Sequence, residues 1–172
     1  MAVILVSGVP GVGSSRVTEE ARQRLDDSYR VVNFGDVMLE EAASRGLASN
    51  RDELSRLPIH DQAFLQRRAG EYIRQKAKEQ SLLVDTHFVL HTSHGFIPGM
   101  PDPVLRDVNP DKLVIVDADT DTILERRDSG DYRVYPDESA NAITFHQQLN
   151  QMAAMTYSTH SSAPIHHVSN EG

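Results

Sequence analysis

The chain has 172 residues and no cysteine, and only 6% of its residues are aromatic. The absence of cysteine excludes disulfides, thiolate zinc sites and cysteine catalysis. No apolar run approaches the roughly 18 residues that a membrane-spanning helix needs. The apolar start, MAVILV, has neither a basic front region nor a small-residue cleavage site, so we interpret it as a strand rather than a signal peptide. The expected location is therefore the cytoplasm.

Lysine is scarce, since Lys76, Lys78 and Lys112 stand against fourteen arginines, and the formal net charge is -8. Proteins that grip long nucleic acids are usually basic, so this balance predicts no direct nucleic-acid binding. Charge affects solubility and association and does not name a substrate.

Short apolar runs alternate with helix-forming segments along the chain. This alternation predicts an α/β fold in which a parallel sheet is covered by helices on both faces, as a single domain. Asp36 is the expected cap of the second helix, and residues 87–103, which are rich in Gly and Pro, are expected to be loop. The expected strands are residues 2–6, 29–33, 82–84, 113–116 and 165–168.

A glycine-rich segment follows the first strand and opens a helix. It matches the phosphate-loop pattern G-x-x-x-x-G-K-[ST] except that Ser14 replaces the lysine. Glycines let the backbone wrap so that several N–H groups converge on phosphate oxygens, and the helix amino end favours anions. The adjacent Arg16 is included among the candidates, although about 100° of rotation per helical residue turns its side chain elsewhere. The predicted ATP-binding residues are Gly8, Val9, Pro10, Gly11, Val12, Gly13, Ser14, Ser15 and Arg16.

Asp85 closes an apolar strand, where a carboxylate could hold a Mg²⁺-bound water opposite the Ser15 hydroxyl. The alternative for Asp85 is a helix cap or turn residue. Arg127 and Arg133 flank a polar loop near residues 128–136, which is typical of a lid that closes over a triphosphate and excludes water. The alternative for this segment is a solvated charged loop.

Several motifs occur in order along nearly the whole chain: GVPGVG at 8–13, Asn33-Phe34-Gly35, the segment 51–57, Asp85-Thr86-His87, GFIPGMP at 95–101 and Asn109-Pro110. Together they resemble the archaeal adenylate kinase family. The resemblance implies a P-loop NTPase fold, a three-layer αβα sandwich whose five-stranded parallel sheet has the order 2-3-1-4-5, with a short lid. It also implies the reaction Mg·ATP + AMP ⇌ 2 ADP, with Mg²⁺ as cofactor, and a homotrimeric assembly.

The resemblance assigns roles to matching residues. Arg127 and Arg133 would be catalytic, and Ser15 and Asp85 would serve the metal. Arg51 and Arg56 are alternatives for the AMP phosphate. The residues implied for AMP binding are Gly35, Arg51, Arg56, Asp85, Thr86 and His87.

Tyr135 and Gln151 stand where many members of the family carry arginine. Position 14 is glycine in some members and lysine in others, so Ser14 lies within the family's variation. The family's last helix would follow residue 172, and its loss would uncover apolar sheet surface. Three alternatives to an adenylate kinase therefore stay open. They are a nucleoside monophosphate kinase of other base preference, a nucleotide-dependent assembly or RNA-maturation factor, and a protein that binds ATP weakly without transfer.

Overall fold

A computed structural model describes residues 1–129 and 139–171. The main sheet has five parallel strands in the order β2-β3-β1-β6-β7. Counting only the strands of this sheet, the order is the expected 2-3-1-4-5, and the predicted fold class is confirmed. The strands are β1 (Val3–Ser7), β2 (Tyr29–Asn33), β3 (Ser81–Thr86), β6 (Lys112–Asp117) and β7 (Ile165–Ser169).

The segment expected to be loop contains an antiparallel hairpin, which corrects the prediction for residues 87–103. Strand β4 (Val89–Thr92) pairs with β5 (Gly95–Pro98) across a two-residue turn. Gly95 takes a φ of 112°, a backbone conformation that glycine adopts without steric cost. Pro98 lies at the end of this short ribbon, where a missing N–H is tolerated. Gly and Pro therefore mark the turn and the end of the hairpin rather than unstructured chain.

Helices cover both faces of the sheet. One face packs against α2, α4, α5 and α7 in a core that includes Leu5, Val84 and Leu113. The other face packs around Val6, Val116 and Ile123. The helices are α1 (Ser14–Arg24), α2 (Phe34–Ser44), α3 (Arg51–Arg56), α4 (Ile59–Ala77), α5 (Asp102–Val108), α6 (Thr120–Ser129) and α7 (Ala140–Ser161).

Side chains of Asn and Ser begin three of these helices. The Asn33 side chain accepts from the Asp36 amide and caps α2, so the expectation that Asp36 is the cap was wrong by one turn. Asn50 caps α3 and Ser139 caps α7 in the same way. Asparagine satisfies orphan amides at a helix start as well as aspartate does, so sequence alone does not choose between Asn33 and Asp36.

Because the five strands are parallel, their carboxyl ends meet at one edge of the sheet. That edge carries Ser7, Asn33, Thr86, Asp117 and Ser169. In open sheets of this type, ligands bind outside the carboxyl ends of the strands. None of the helices in the described part of the chain is long and apolar enough to cross a membrane.

Candidate functional site

The glycine-rich loop between β1 and α1 turns tightly at two positions. Gly11 has a φ of 91° and Gly13 a φ of 85°, both in the left-handed region. Gly8 has no room for a side chain, because a Cβ there would lie 2.8 Å from the Val116 carbonyl oxygen. Gly13 occupies the cap position of α1, and no side chain caps this helix end. The loop therefore presents an uncapped helix start, which suits an anion.

Asp85 lies beneath the start of α1 and is buried. Its two carboxylate oxygens accept from the Ser14 hydroxyl at 3.3 Å and the Ser15 hydroxyl at 2.6 Å. Ser14 is itself buried, so its hydroxyl points to Asp85 rather than out toward the mouth of the loop. The predicted neighbours Ser15 and Asp85 are thus brought together by the pairing of β1 with β3.

Two arginines of α6 donate hydrogen bonds to backbone carbonyls of the phosphate loop. Arg127 donates from Nε and Nη2 to the Pro10 carbonyl oxygen at 2.9 and 2.7 Å. Arg126 donates from Nη1 to the Val12 carbonyl at 2.9 Å and from Nη2 to the Asn170 carbonyl at 2.7 Å. Guanidinium groups therefore lie beside the loop that lacks a lysine.

The three lysines do not take part. Lys76 and Lys78 lie at the end of α4, and Lys112 begins β6 at the opposite edge of the sheet. Arg16 lies on the exposed side of α1, paired with Glu20 at 3.3 Å, and its assignment to ATP stays a prediction. Arg133 and Tyr135, with most of the expected lid at 128–136, lie outside the described residues.

On the other side of Asp85, Arg51 lies against Gly35. A Cβ on Gly35 would come within 2.9 Å of the Arg51 guanidinium carbon, so only glycine leaves this space. Arg51 forms an ion pair with Asp36 and donates to Asn33 Oδ1 at 3.2 Å. Arg56 points to solvent and pairs with Asp52 at 3.0 Å. Of the two arginines proposed for the acceptor phosphate, Arg51 is the one beside Gly35.

Thr86 and His87 continue β3 past Asp85. Thr86 is buried beside Ser7 of β1. The His87 ring donates from Nδ1 to the Gly8 carbonyl oxygen at 2.7 Å, which assigns the proton to Nδ1 because a carbonyl only accepts. Burial lowers the pKa of His87, against the opposing effects of the Gly8 carbonyl and the Asp85 charge. A neutral imidazole therefore stands against the first glycine of the loop.

The sequence analysis assigned no individual role to two residues of the site, Asn33 and Asn170. Asn33 donates to Asp85 and accepts from Arg51, so it joins both sides of the site. Asn170 donates from Nδ2 to the Val12 carbonyl at 2.9 Å, and a Cβ on Gly13 would lie 2.6 Å from that nitrogen. Asn33 belongs to a quoted motif, which was the available signal. Asn170 follows the last strand, and only the tertiary fold brings it to the loop.

Asp117 ends β6 and is held by its own partners. Its Oδ2 accepts from His167 Nε2 at 2.7 Å and from Gln151 Nε2 at 3.4 Å. Gln151, where many members of the resembling family carry arginine, thus bonds to a carboxylate at the edge of the sheet. The described residues contain no group of three or more His, Asp or Glu side chains that could hold a metal ion.

Comparison with known proteins agrees with this geometry. Residues 7–144 match a family model described as an AAA domain. The chain is 44% identical over 170 residues to an adenylate kinase of Methanothermobacter thermautotrophicus, covering 99% of this chain and 91% of that protein. It is 42% identical over 168 residues to an adenylate kinase of Pyrococcus furiosus, covering 98% and 86%.

Solved structures support the fold alone. A sugar kinase from Janibacter sp. HTCC2649 superposes with a TM-score of 0.58 at 12% identity, covering 98% of this chain and 85% of that chain. A gluconokinase from Sinorhizobium meliloti 1021 superposes with a TM-score of 0.55 at 14% identity, covering 99% and 83%. From the sequence identities over nearly its whole length, the chain belongs to the adenylate kinase family.

Proposed function

We propose that this protein transfers the γ-phosphoryl group of Mg·ATP to AMP, giving two ADP, and that the reaction runs in both directions. The observation that carries the proposal is the placement of Asp85 between two arginine-bearing surfaces. On one side it bonds Ser14 and Ser15 of the phosphate loop, beside Arg126 and Arg127. On the other it bonds Asn33, which holds Arg51. Two phosphorylated substrates can meet at such a centre.

Phosphoryl transfer asks the protein mainly for positioning and charge neutralisation. The γ-phosphorus breaks its bond to the β-phosphate oxygen of ATP as an oxygen of the AMP phosphate bonds to it in line. The amides at the start of α1 would hold the β- and γ-phosphates, with an electrostatic field that needs no lysine. Arg127 supplies the guanidinium fork that suits the equatorial oxygens of the transferred group. Arg133 is proposed to join it from the lid.

The donor set at Ser15 and Asp85 fits Mg²⁺. A hydroxyl and a carboxylate 2.6 Å apart offer hard oxygen ligands, and Mg²⁺ usually takes only one or two protein groups beside water and substrate phosphate. When bound, the ion would neutralise charge on the phosphates. Ser15 would hold the ion with its hydroxyl, and Asp85 would hold a water bound to it.

Arg51 is the proposed ligand of the AMP phosphate. Its guanidinium is half-exposed and is held by Asp36 on the protein surface, so a phosphate dianion can replace that carboxylate. Gly35 leaves the space that the guanidinium occupies. Thr86, buried beside Ser7, and the neutral His87 ring, bonded to the Gly8 carbonyl, are proposed to line the acceptor side of the site.

We also propose that copies of the chain associate through α7. This helix has no Asp, Glu, Lys or Arg over 22 residues. Phe145, Met152 and Met155 are exposed on it by 50%, 66% and 61%. An uncharged apolar stripe of this kind is typical of a protein contact. A homotrimer is the assembly that the family resemblance implies.

The deciding experiment measures ADP formation from ATP with AMP, CMP, UMP or GMP as acceptor, at low and high salt. We expect AMP to be the best acceptor and activity to require Mg²⁺. If another nucleotide is the best acceptor, the protein is still a nucleoside monophosphate kinase, but AMP is not its preferred substrate. Tight binding of ATP with no ADP from any acceptor would reject the proposal and favour a nucleotide-dependent switch.

The metal role is tested with Asp85→Asn, which keeps the size of the side chain and removes its charge. We expect turnover to fall by about a hundredfold and the Mg²⁺ concentration for half-maximal activity to rise. Asp121→Asn, an exposed carboxylate in the first turn of α6, is the control. An unchanged Mg²⁺ dependence in Asp85→Asn would remove Asp85 from the metal site.

A further inference from the structure

Asn33 lies between Asp85, which bonds to the phosphate-loop serines, and Arg51, the proposed ligand of the AMP phosphate. It is the last residue of β2 and lies directly beside Asp85 in the pairing of β2 with β3. Among the described side chains, its carboxamide alone hydrogen-bonds to both the Asp85 carboxylate and the Arg51 guanidinium. Neither the phosphate-loop pattern nor the acceptor arginines require this position to be asparagine.

The orientation of the Asn33 amide is determined by its neighbours. Nδ2 donates to Asp85 Oδ2 at 3.4 Å, and Oδ1 accepts from Arg51 Nη2 at 3.2 Å and from the Asp36 amide at 3.0 Å. Reversing the amide would set its NH₂ against two donors and its oxygen against a carboxylate. A carboxylate at one end and a guanidinium at the other need a side chain that both donates and accepts.

We propose that Asn33 is a positioning residue that holds Arg51 at a fixed place relative to Asp85. The metal side and the acceptor-phosphate side of the site are thereby kept in register. This inference rests on the proposed function, in which Asp85 serves the metal and Arg51 the AMP phosphate. In-line transfer needs the reacting oxygen and phosphorus aligned, and a displacement of about 1 Å is enough to slow such reactions by up to a hundredfold.

Without Asn33, little else would hold Arg51 in place. Its other partner among the described residues is Asp36, whose side chain is 71% exposed. Exposed ion pairs fix a long arginine side chain only weakly. The guanidinium would then leave the space over Gly35 and sample solvent-facing rotamers.

The simpler role for Asn33 is a helix cap, since it also accepts from the Asp36 amide. Asn33→Ser separates the two roles, because serine is as good a cap as asparagine but is too short to join Asp85 to Arg51. Asn50→Ser is the matched control. Asn50 caps α3 through the Glu53 amide at 2.8 Å, and α3 carries Arg51, yet Asn50 has no contact with Asp85.

The experiment compares steady-state kinetics of the unaltered chain with Asn33→Ser, Asn50→Ser, Arg51→Ala and the double variant Asn33→Ser/Arg51→Ala. For Asn33→Ser we expect KM for AMP to rise about tenfold and kcat to fall about tenfold, with Kd for Mg·ATP within about twofold. The KM for AMP of the double variant should be no higher than that of Arg51→Ala, because Asn33 acts through Arg51. Asn50→Ser should match the unaltered chain.

Equal changes in Asn33→Ser and Asn50→Ser would reduce Asn33 to a cap and overturn the inference. The inference would also be overturned if the two substitutions raised the KM for AMP independently, so that their factors multiplied in the double variant. A KM for AMP within twofold of the unaltered chain in Asn33→Ser would overturn it as well. In these cases the unaltered chain still makes ADP from AMP, so the proposed function stands. An unaltered chain that makes no ADP rejects the proposed function, and the inference with it.

Discussion

Ser14 occupies the place of the usual phosphate-loop lysine, and its hydroxyl bonds Asp85 inside the protein. The positive charge at the loop comes instead from Arg126 and Arg127 at the end of α6, about 115 residues away in sequence. A guanidinium held by backbone carbonyls is already ordered before a ligand arrives. The site therefore has two guanidinium groups bonded to the backbone of the loop in place of one lysine ammonium group within it.

Arg127→Ala is expected to lower kcat far more than it weakens ATP binding. The amides at the start of α1 remain to bind the triphosphate, whereas charge that develops on the transferred group loses its partner. We expect a fall in kcat of about 10²- to 10³-fold and a change in Kd for ATP of less than about tenfold. Arg24→Ala, at an exposed position in the last turn of α1, is the control. Equal losses in kcat and in ATP binding would contradict a transition-state role.

Gly35→Ala is expected to weaken AMP binding without lowering the stability of the protein. A methyl group at this position would displace the Arg51 guanidinium, which is the mobile end of a long side chain. Alanine also favours helix over glycine by about 0.5–1 kcal/mol. We therefore expect an unchanged or slightly higher Tm together with a KM for AMP raised about tenfold. In an Arg51→Ala background the same change should have no further effect, and a further rise in KM would refute the explanation.

At the scale of elements, α7 ties the hairpin region to the sheet through buried polar groups. The Tyr157 hydroxyl donates to the Phe88 carbonyl at 2.7 Å and accepts from the Met100 amide at 3.2 Å. Asn150 accepts from Ser7, the residue before the phosphate loop, at 2.8 Å. A rigid helix therefore fixes both the base of the loop and the segment after β3. These bonds join residues 57 to 143 positions apart, which local sequence patterns do not report.

Tyr157→Phe should cost about 1–3 kcal/mol at pH 7, because the buried Met100 amide loses its partner and the Phe88 carbonyl keeps only the Gly99 amide. Burial raises the pKa of the Tyr157 hydroxyl above its ordinary value. The stabilising contribution is therefore complete below about pH 10, where unfolded tyrosine ionises, and falls as the pH rises through the folded pKa.

The measurement is Tm against pH from 7 to 11. The unaltered chain should lose stability above about pH 10, and Tyr157→Phe should lose less over that interval. Tyr72→Phe, at a more exposed tyrosine on α4, is the control and should follow the unaltered chain. Parallel curves for all three proteins would show that Tyr157 does not titrate as its burial implies.

For the whole molecule, charge is distributed unevenly. The chain carries a net charge of -8, yet α7 presents an uncharged surface with three large exposed apolar side chains. Like-charged monomers repel one another at long range, so an uncharged face is where copies could approach. The three side chains lie on the solvent side of α7.

Met152→Glu combined with Met155→Glu should dissociate the proposed assembly, because two carboxylates would be buried at each contact without partners. We expect light scattering to report a larger particle for the unaltered chain and a monomer of 19.2 kDa for the double variant. Gln23→Glu with Gln75→Glu adds the same charge at exposed positions of α1 and α4. Identical masses for all three proteins would place the contact elsewhere or reject self-association.

The amino-acid sequence by itself determined the approximate positions of the strands and the phosphate loop, because both depend on neighbours in the chain. Short apolar runs predict strands, and glycines at 8, 11 and 13 predict a tight turn into a helix. The hairpin at 89–98 was hidden because its Gly and Pro residues are equally typical of loops. The sequence also left Arg51 and Arg56 as equal candidates for the acceptor phosphate.

Only the tertiary structure decided which side chains meet. Strand pairing brought Asn33 beside Asp85 across 52 positions, and the packing of α6 laid Arg126 and Arg127 on the phosphate loop. Arg51 lies over Gly35 while Arg56 faces solvent, although both belong to one short helix. Such contacts depend on how buried faces pack across the sheet, and packing is a sum over distant residues that no local pattern contains.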